Sequence, residues 1–131
     1  MHTVPEPFHD LLDTQFATLA TIGPAGTPQQ SVVWFLGSEG KVAISLNSAR
    51  QKTMNLARNP RCSVVITDPA SPYRYIEIRG KAVITPDPDY SFADQVGEKY
   101  SSDLRQHDAP GEHRVKVVIE PDRVRAVNMG G

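Results

Sequence analysis

Hydrophobic and polar positions alternate with a period of two from Phe16 to Ile22, where Ala17, Leu19 and Thr21 face one way and Phe16, Thr18, Ala20 and Ile22 the other. Gly23-Pro24-Ala25-Gly26-Thr27-Pro28 supplies turn chemistry, and a return strand is expected over residues 29–36, ending at Gly37-Ser38-Glu39-Gly40. Lys41 to Leu46 alternates again, with Val42, Ile44 and Leu46 on one face, so the first half reads as a three-stranded β-meander. At Asn47 the period changes. Ala49, Thr53, Leu56 and Ala57 recur at helical spacing, Ser48-Ala49-Arg50-Gln51 fits a capping box, and Asn59-Pro60 ends the helix. Strands are expected over 61–67 and 73–85, separated by Asp68-Pro69-Ala70-Ser71-Pro72, whose prolines cannot continue a ladder. A second helix follows, with Asp87 as cap, Pro88 at its first position, and Phe92, Val96 and Tyr100 on one face. Residues 101–112 are polar, contain Pro110-Gly111 and read as a mobile loop. A last hairpin is expected from 114–120 and 123–127, joined at Pro121-Asp122. Before all of these, Phe8, Leu11 and Leu12 share a side of a short, lid-like N-terminal helix. Six to seven mostly antiparallel strands with three short helices imply a mainly β fold, a closed or nearly closed barrel, because closure removes exposed strand edges.

The 131 residues are the length of one domain, spanning 1–131, and the 39% apolar content is spread evenly enough to build one core. Apolar runs such as Val64-Val65-Ile66 are far short of a membrane span, and no signal segment opens the chain, so a cytoplasmic protein without membrane contact is expected. Cys62 is the single cysteine, which excludes an intrachain disulfide and reads as an ordinary buried thiol. A formal net charge of −1 gives nothing that would attract nucleic acid globally. His2, His9, His107 and His113 lack zinc-ligand spacing, and no metal site is expected. Gly23–Gly26 is not followed by Gly-Lys-Ser/Thr and is a turn rather than a phosphate loop. Asp87 is explained by helix capping, general acid–base work by Asp87 and Asp89 needs a cleft that the sequence does not locate, and no nucleophilic triad presents itself.

Candidate chemistry is concentrated in Ser45-Leu46-Asn47-Ser48-Ala49-Arg50-Gln51-Lys52. Arg50 and Lys52 stand in the first turn of a helix, where cations oppose the macrodipole by ~0.3–1 kcal/mol each. A bound anion reverses that sign. Free backbone N–H groups, the Ser48 hydroxyl, a guanidinium and an ammonium together describe a phosphate site. The alternative is a pair of solvated surface cations.

Phe16-Ala17-Thr18-Leu19-Ala20-Thr21, Gly26 to Trp34, Arg50-Gln51-Lys52 through Asn59-Pro60-Arg61, and Tyr73 to Gly80 together resemble the pyridoxamine 5′-phosphate oxidase-like split β-barrel superfamily over nearly the whole chain. Within it the chain looks most like the small actinobacterial coenzyme F420-dependent oxidoreductases. The resemblance implies an FMN-binding-type split β-barrel that binds coenzyme F420, with FMN as the alternative cofactor. Arg50 and Lys52 would hold the cofactor phosphate, Ser45 and Ser48 would lie near the ribityl chain, and Gln29 and Ser31 would meet the ring. It also implies a homodimer with cofactor sites at the interface, where Tyr73 and Tyr75 reach the ring held mainly by the partner. Trp34, by contrast, is expected in the core. Hydride would pass between the deazaflavin and an electron-poor small molecule such as an enone, quinone or tetrapyrrole, with no dedicated catalytic side chain. A non-catalytic flavin or deazaflavin carrier is the other reading. Two departures matter: Gln29 stands where pyridoxamine 5′-phosphate oxidases proper carry Arg, and Arg123-Val124-Arg125-Ala126-Val127 does not reproduce their C-terminal Arg-Leu-His-Asp-Arg segment. They imply a substrate other than vitamin B6.

Overall fold

The structure, a computed structural model, describes residues 2–129. A 3-10 helix over Glu6–Asp13 leads into strands β1 (Ala17–Ile22), β2 (Pro28–Val33), β3 (Leu36–Ser38) and β4 (Lys41–Asn47), followed by helix α1 (Gln51–Arg58). Strands β5 (Arg61–Asp68) and β6 (Ser71–Pro86), helix α2 (Ser91–Tyr100), a second 3-10 helix (Leu104–His107) and β7 (Arg114–Asn128) complete the chain. All seven strands form one antiparallel sheet in the order β2-β1-β5-β6-β7-β4-β3, curled as in a split β-barrel. The period-two pattern does what it should: Ala17, Leu19 and Thr21 of β1 are buried, while Thr18, Ala20 and Ile22 are only partly covered. Along β4 both faces are covered. Val42, Ile44 and Leu46 enter the barrel core, and Ala43 packs against Phe92, Ala93 and Val96 of α2. No helix among the described residues is long and apolar enough to cross a membrane.

Five expectations are corrected. The meander does not form: the return segment divides at Trp34-Phe35, so β2 lies at one edge of the sheet beside β1 and β3 at the other beside β4. Val33 and Phe35 are both buried, so the alternation continues across a break that it cannot reveal. The peptide groups at the break are satisfied from α2. Tyr100 Oη accepts from the Phe35 N–H at 2.9 Å and Lys99 Nζ donates to the Phe35 carbonyl at 2.8 Å.

The final hairpin is also absent, because β7 is one strand. Arg79 faces Arg123 and Gly80 faces Pro121, which leaves Asp122 as an extra residue in a bulge. Pro121 is tolerated there for lack of a ladder bond to donate. Gly80 is needed opposite it, since a Cβ would fall 2.0 Å from the Glu120 carbonyl oxygen.

Ser48 does not cap α1. Arg50 is the N-cap residue, and the Ser48 hydroxyl accepts from the His113 N–H at 3.2 Å. Nor is the N-terminal helix a lid, for Leu11 and Leu12 are buried in the barrel core. Asp87 does cap α2, but from outside it: the carboxylate accepts from the N–H groups of Phe92 and Ala93 at 3.1 and 2.9 Å, and the helix begins at Ser91 rather than Pro88.

Candidate functional site

At the end of β4 the chain must turn into α1, and Asn47 organises that turn. Its Oδ1 accepts from the Ala49 N–H at 2.8 Å, and its carbonyl accepts from the Arg50 N–H and the Thr53 hydroxyl at 3.2 and 2.7 Å. Arg50 therefore precedes the helix in extended conformation and Lys52 occupies its second position. The N–H groups of Gln51 and Lys52 find no acceptor among the described residues, as expected of a helix start. Neither Arg50 nor Lys52 has a carboxylate partner among the described residues. Burial, and secondarily the Arg50 charge, hold the Lys52 ammonium below the usual lysine pKa. Two uncompensated cations beside free N–H groups form an anion cradle, and the donor set fits a phosphate.

The cradle opens into a cavity of about 530 Å³, a volume suited to a cofactor-sized ligand. Arg50, Lys52 and Ser45 line one part of it, and Val32, Trp34 and Leu104 give it an apolar wall. Trp34 is only half-buried, which corrects the expectation of a core residue. Its ring stacks on Tyr100 at 4.4 Å with a 4° interplanar angle, and His107 approaches it edge-on at 6.3 Å.

The loop expected to be mobile closes the cavity's far side and is pinned there. Arg114, at the start of β7, is 8% exposed and donates to both Asp108 oxygens, the shortest contact being 2.9 Å. Tyr90 Oη and Asn47 Nδ2 also donate to Asp108, at 2.7 and 2.8 Å, and Asn47 Nδ2 donates further to Glu112 at 2.8 Å. Burial pushes the Asp108 carboxyl up, but the bonds from Arg114, Tyr90 and Asn47 outweigh it and hold the group below the usual carboxylate range. Arg114 also reaches Ser45, donating to its Oγ at 3.4 Å, so the same guanidinium orients a residue of the cavity wall.

Of the sequence-based candidates, then, Arg50, Lys52 and Ser45 come together in one cavity. Ser48 is beside it but turned to His113. Gln29 and Ser31 lie on the half-buried face of β2 and do not line it; Gln29 Oε1 is held by Thr21 and Asn55. Tyr73, 61% exposed, and Tyr75, half-buried, stand on β6 away from their own chain's cavity. Arg114, Asn47 and Glu112 escaped the sequence reading. No local signal marked Arg114: the alternation of 114–120 sets it on the face of Lys116 and Glu120, opposite Val115, Val117 and Ile119, and its burial comes from Asp108 folding back onto it.

Comparison with known proteins agrees with this fold. The pyridoxamine 5′-phosphate oxidase family matches residues 6–128. A solved F420 reductase is 34% identical, with a TM-score of 0.82 over 93% of this chain and 98% of its own. A conserved hypothetical protein from Mycobacterium tuberculosis is 26% identical, with a TM-score of 0.78 over 97% and 87%. A heme-binding protein from Mycobacterium smegmatis, at 22% identity and a TM-score of 0.67 over 98% and 57%, shares the fold alone. No curated protein sequence matches. The family match and the F420 reductase likeness together define a flavin- or deazaflavin-related oxidoreductase or binding protein. The chain belongs to the pyridoxamine 5′-phosphate oxidase family.

Proposed function

We propose that this protein is a coenzyme F420-dependent oxidoreductase that passes hydride between reduced deazaflavin and an electron-poor organic acceptor. The observation that carries the reading is the pair of unpaired cations, Arg50 and Lys52, at the start of α1 on the wall of a cofactor-sized cavity. The 34% identity to an F420 reductase supports the deazaflavin over FMN, whose phosphate the same cradle would take. When bound, the deazaflavin supplies the hydride, and the protein supplies binding and orientation. Arg50 and Lys52 hold the phosphate, Ser45 and Ser48 flank the ribityl chain, and Gln29 and Ser31, outside the single chain's cavity, meet the ring where the cofactor extends beyond it toward a second copy. The exposed Tyr73 and its neighbour Tyr75 complete the site of a second copy in a homodimer, a role that fits their distance from their own cavity.

Fluorescence titration of the protein with coenzyme F420, and separately with FMN, tests the reading. Replacing Arg50 and Lys52 together by Ala should weaken binding by about 2–4 kcal/mol, since charge-assisted bonds contribute roughly 1.5–3 kcal/mol each and are seldom additive. Unchanged affinity in the double variant refutes the anchor. Acceptor-dependent oxidation of the reduced cofactor separates an enzyme from a carrier.

A further inference from the structure

Asn55 is 1% exposed, lies on α1 one turn beyond the phosphate cradle, and uses every polar atom of its side chain. Its Oδ1 accepts from Gln51 Nε2 at 2.8 Å and from the Arg58 guanidinium at 3.5 Å, and the same guanidinium nitrogen of Arg58 donates to the Ile22 carbonyl at 3.2 Å. Its Nδ2 donates to Thr21 Oγ1 and to Gln29 Oε1, both at 3.1 Å. Thr21 Oγ1 donates to Gln29 Oε1 as well, at 3.4 Å.

This chain of bonds has a direction set by chemistry. A guanidinium has only N–H groups to offer, so the Asn55 atom facing Arg58 must be the oxygen. The Asn55 NH₂ is thereby turned toward β2, and Gln29 must meet it with its own carbonyl oxygen. Flipping the Gln29 amide would set two NH₂ groups against each other and lose the bond from Asn55, while the Thr21 hydroxyl, able to accept as well as donate, would keep its contact in either orientation. The Gln29 Nε2 is left with no partner among the described residues. No buried side-chain nitrogen or oxygen among the described residues lacks one, so this amide nitrogen lies at an accessible surface.

We propose that Asn55 is a positioning residue that locks the Gln29 carboxamide in one orientation, so that Gln29 meets the bound ring as a hydrogen-bond donor and selects a ring edge bearing carbonyl oxygens. The donor role rests on the functional reading above; the locked orientation does not. Since α1 carries both the phosphate anchor and Asn55, the two ends of the cofactor would be registered by one rigid element.

Side-chain amide exchange in the ¹⁵N-labelled protein without cofactor tests the orientation. Asn55 amide protons should be protected and Gln29 amide protons should exchange at solvent-like rates. In Asn55→Asp, which offers only acceptors, the Gln29 NH₂ should turn inward and gain roughly tenfold protection, as expected for one newly formed hydrogen bond. A protected Gln29 amide in the unsubstituted protein overturns the orientation.

The donor role is tested by titrating Gln29→Ala and Gln29→Glu with FMN and with coenzyme F420. Gln29 is half-buried on an edge strand, so these variants remain informative even where Asn55→Asp fails to fold. Gln29→Glu, which presents an oxygen to the ring, should bind about tenfold more weakly than Gln29→Ala, a difference of one hydrogen-bond polarity. Equal affinities for the two variants overturn the donor role alone. An unsubstituted protein that binds neither cofactor overturns the functional reading and the ring contact with it, while the exchange pattern still decides the orientation.

Discussion

Replacing Asp108 by Ala leaves the Arg114 guanidinium, 8% exposed, without its carboxylate, and leaves Tyr90 Oη and Asn47 Nδ2 each one acceptor short. Breaking a buried ion pair from one side costs about 3–5 kcal/mol, because the remaining charge is uncompensated. Arg114 keeps weaker bonds to Ser45 and to the Leu104 carbonyl, both at 3.4–3.5 Å, which places the expected loss toward the lower end. Against a total stability of roughly 5–15 kcal/mol, this is a large fraction. It corresponds to a fall in Tm of roughly 10–20 °C for a chain of this length, measurable by calorimetry or circular dichroism.

The pH dependence has a definite sign. The Asp108 carboxyl is held below its ordinary value in the folded state, so its contribution is present above the unfolded carboxylate pKa and disappears as pH falls through the folded one. The unsubstituted protein should therefore lose stability in that acid range more steeply than Asp108→Ala. The double variant Asp108→Leu, Arg114→Met should recover part of the loss, since it leaves no unpaired charge. A loss below about 1 kcal/mol for Asp108→Ala, in the range of surface pairs, would refute the claim that this pair clamps the cavity wall.

Burial, aided by the Asp122 charge, pushes the Cys62 thiol up to about 11. Alkylation at pH 8, followed by mass spectrometry, should thus run at least ~100-fold slower than for a free thiol and rise until about pH 11; a plateau near pH 9 would contradict it. Gly80→Ala should cost about 1–3 kcal/mol in urea denaturation by forcing β6 away from the bulge at Pro121, and a neutral result would show that the bend relaxes freely. Mixing the Arg50→Ala, Lys52→Ala chain with a Tyr73→Ala, Tyr75→Ala chain should restore cofactor binding at about half the normal stoichiometry if each site draws on two chains. No recovery between chains shown to exchange would refute the shared site.

Local rules were sufficient for much of this molecule. The alternation located β1, β4 and β5 within a residue or two, and the helical spacing of Phe92, Val96 and Tyr100 identified the face that α2 buries. The cations at the start of α1 were conspicuous because they violate the macrodipole preference. What stayed hidden depends on contacts distant in sequence. The break at Trp34-Phe35 is stabilised by Lys99 and Tyr100, more than sixty residues away, and leaves the period-two pattern intact. The bulge at Asp122 looks like a turn until Gly80 is seen opposite it, and Arg114 looks like an ordinary strand-edge cation until Asp108 folds back onto it. Ser48 had the right residue type for a cap, but Asn47 performs the local turn chemistry and frees the hydroxyl for His113.

Trp34 is the only tryptophan in the chain, and it stands in the cavity wall with its ring flat against Tyr100. Indole emission from this protein, excited to the red of its four tyrosines, therefore reports a single place. Any chromophore that enters the cavity and absorbs in the near ultraviolet, where the indole emits, becomes an energy acceptor beside that donor. Occupancy is then readable as quenching without a dye, a tag or a substituted residue, and the same signal follows the opening of the Tyr100 stack when α2 detaches on unfolding.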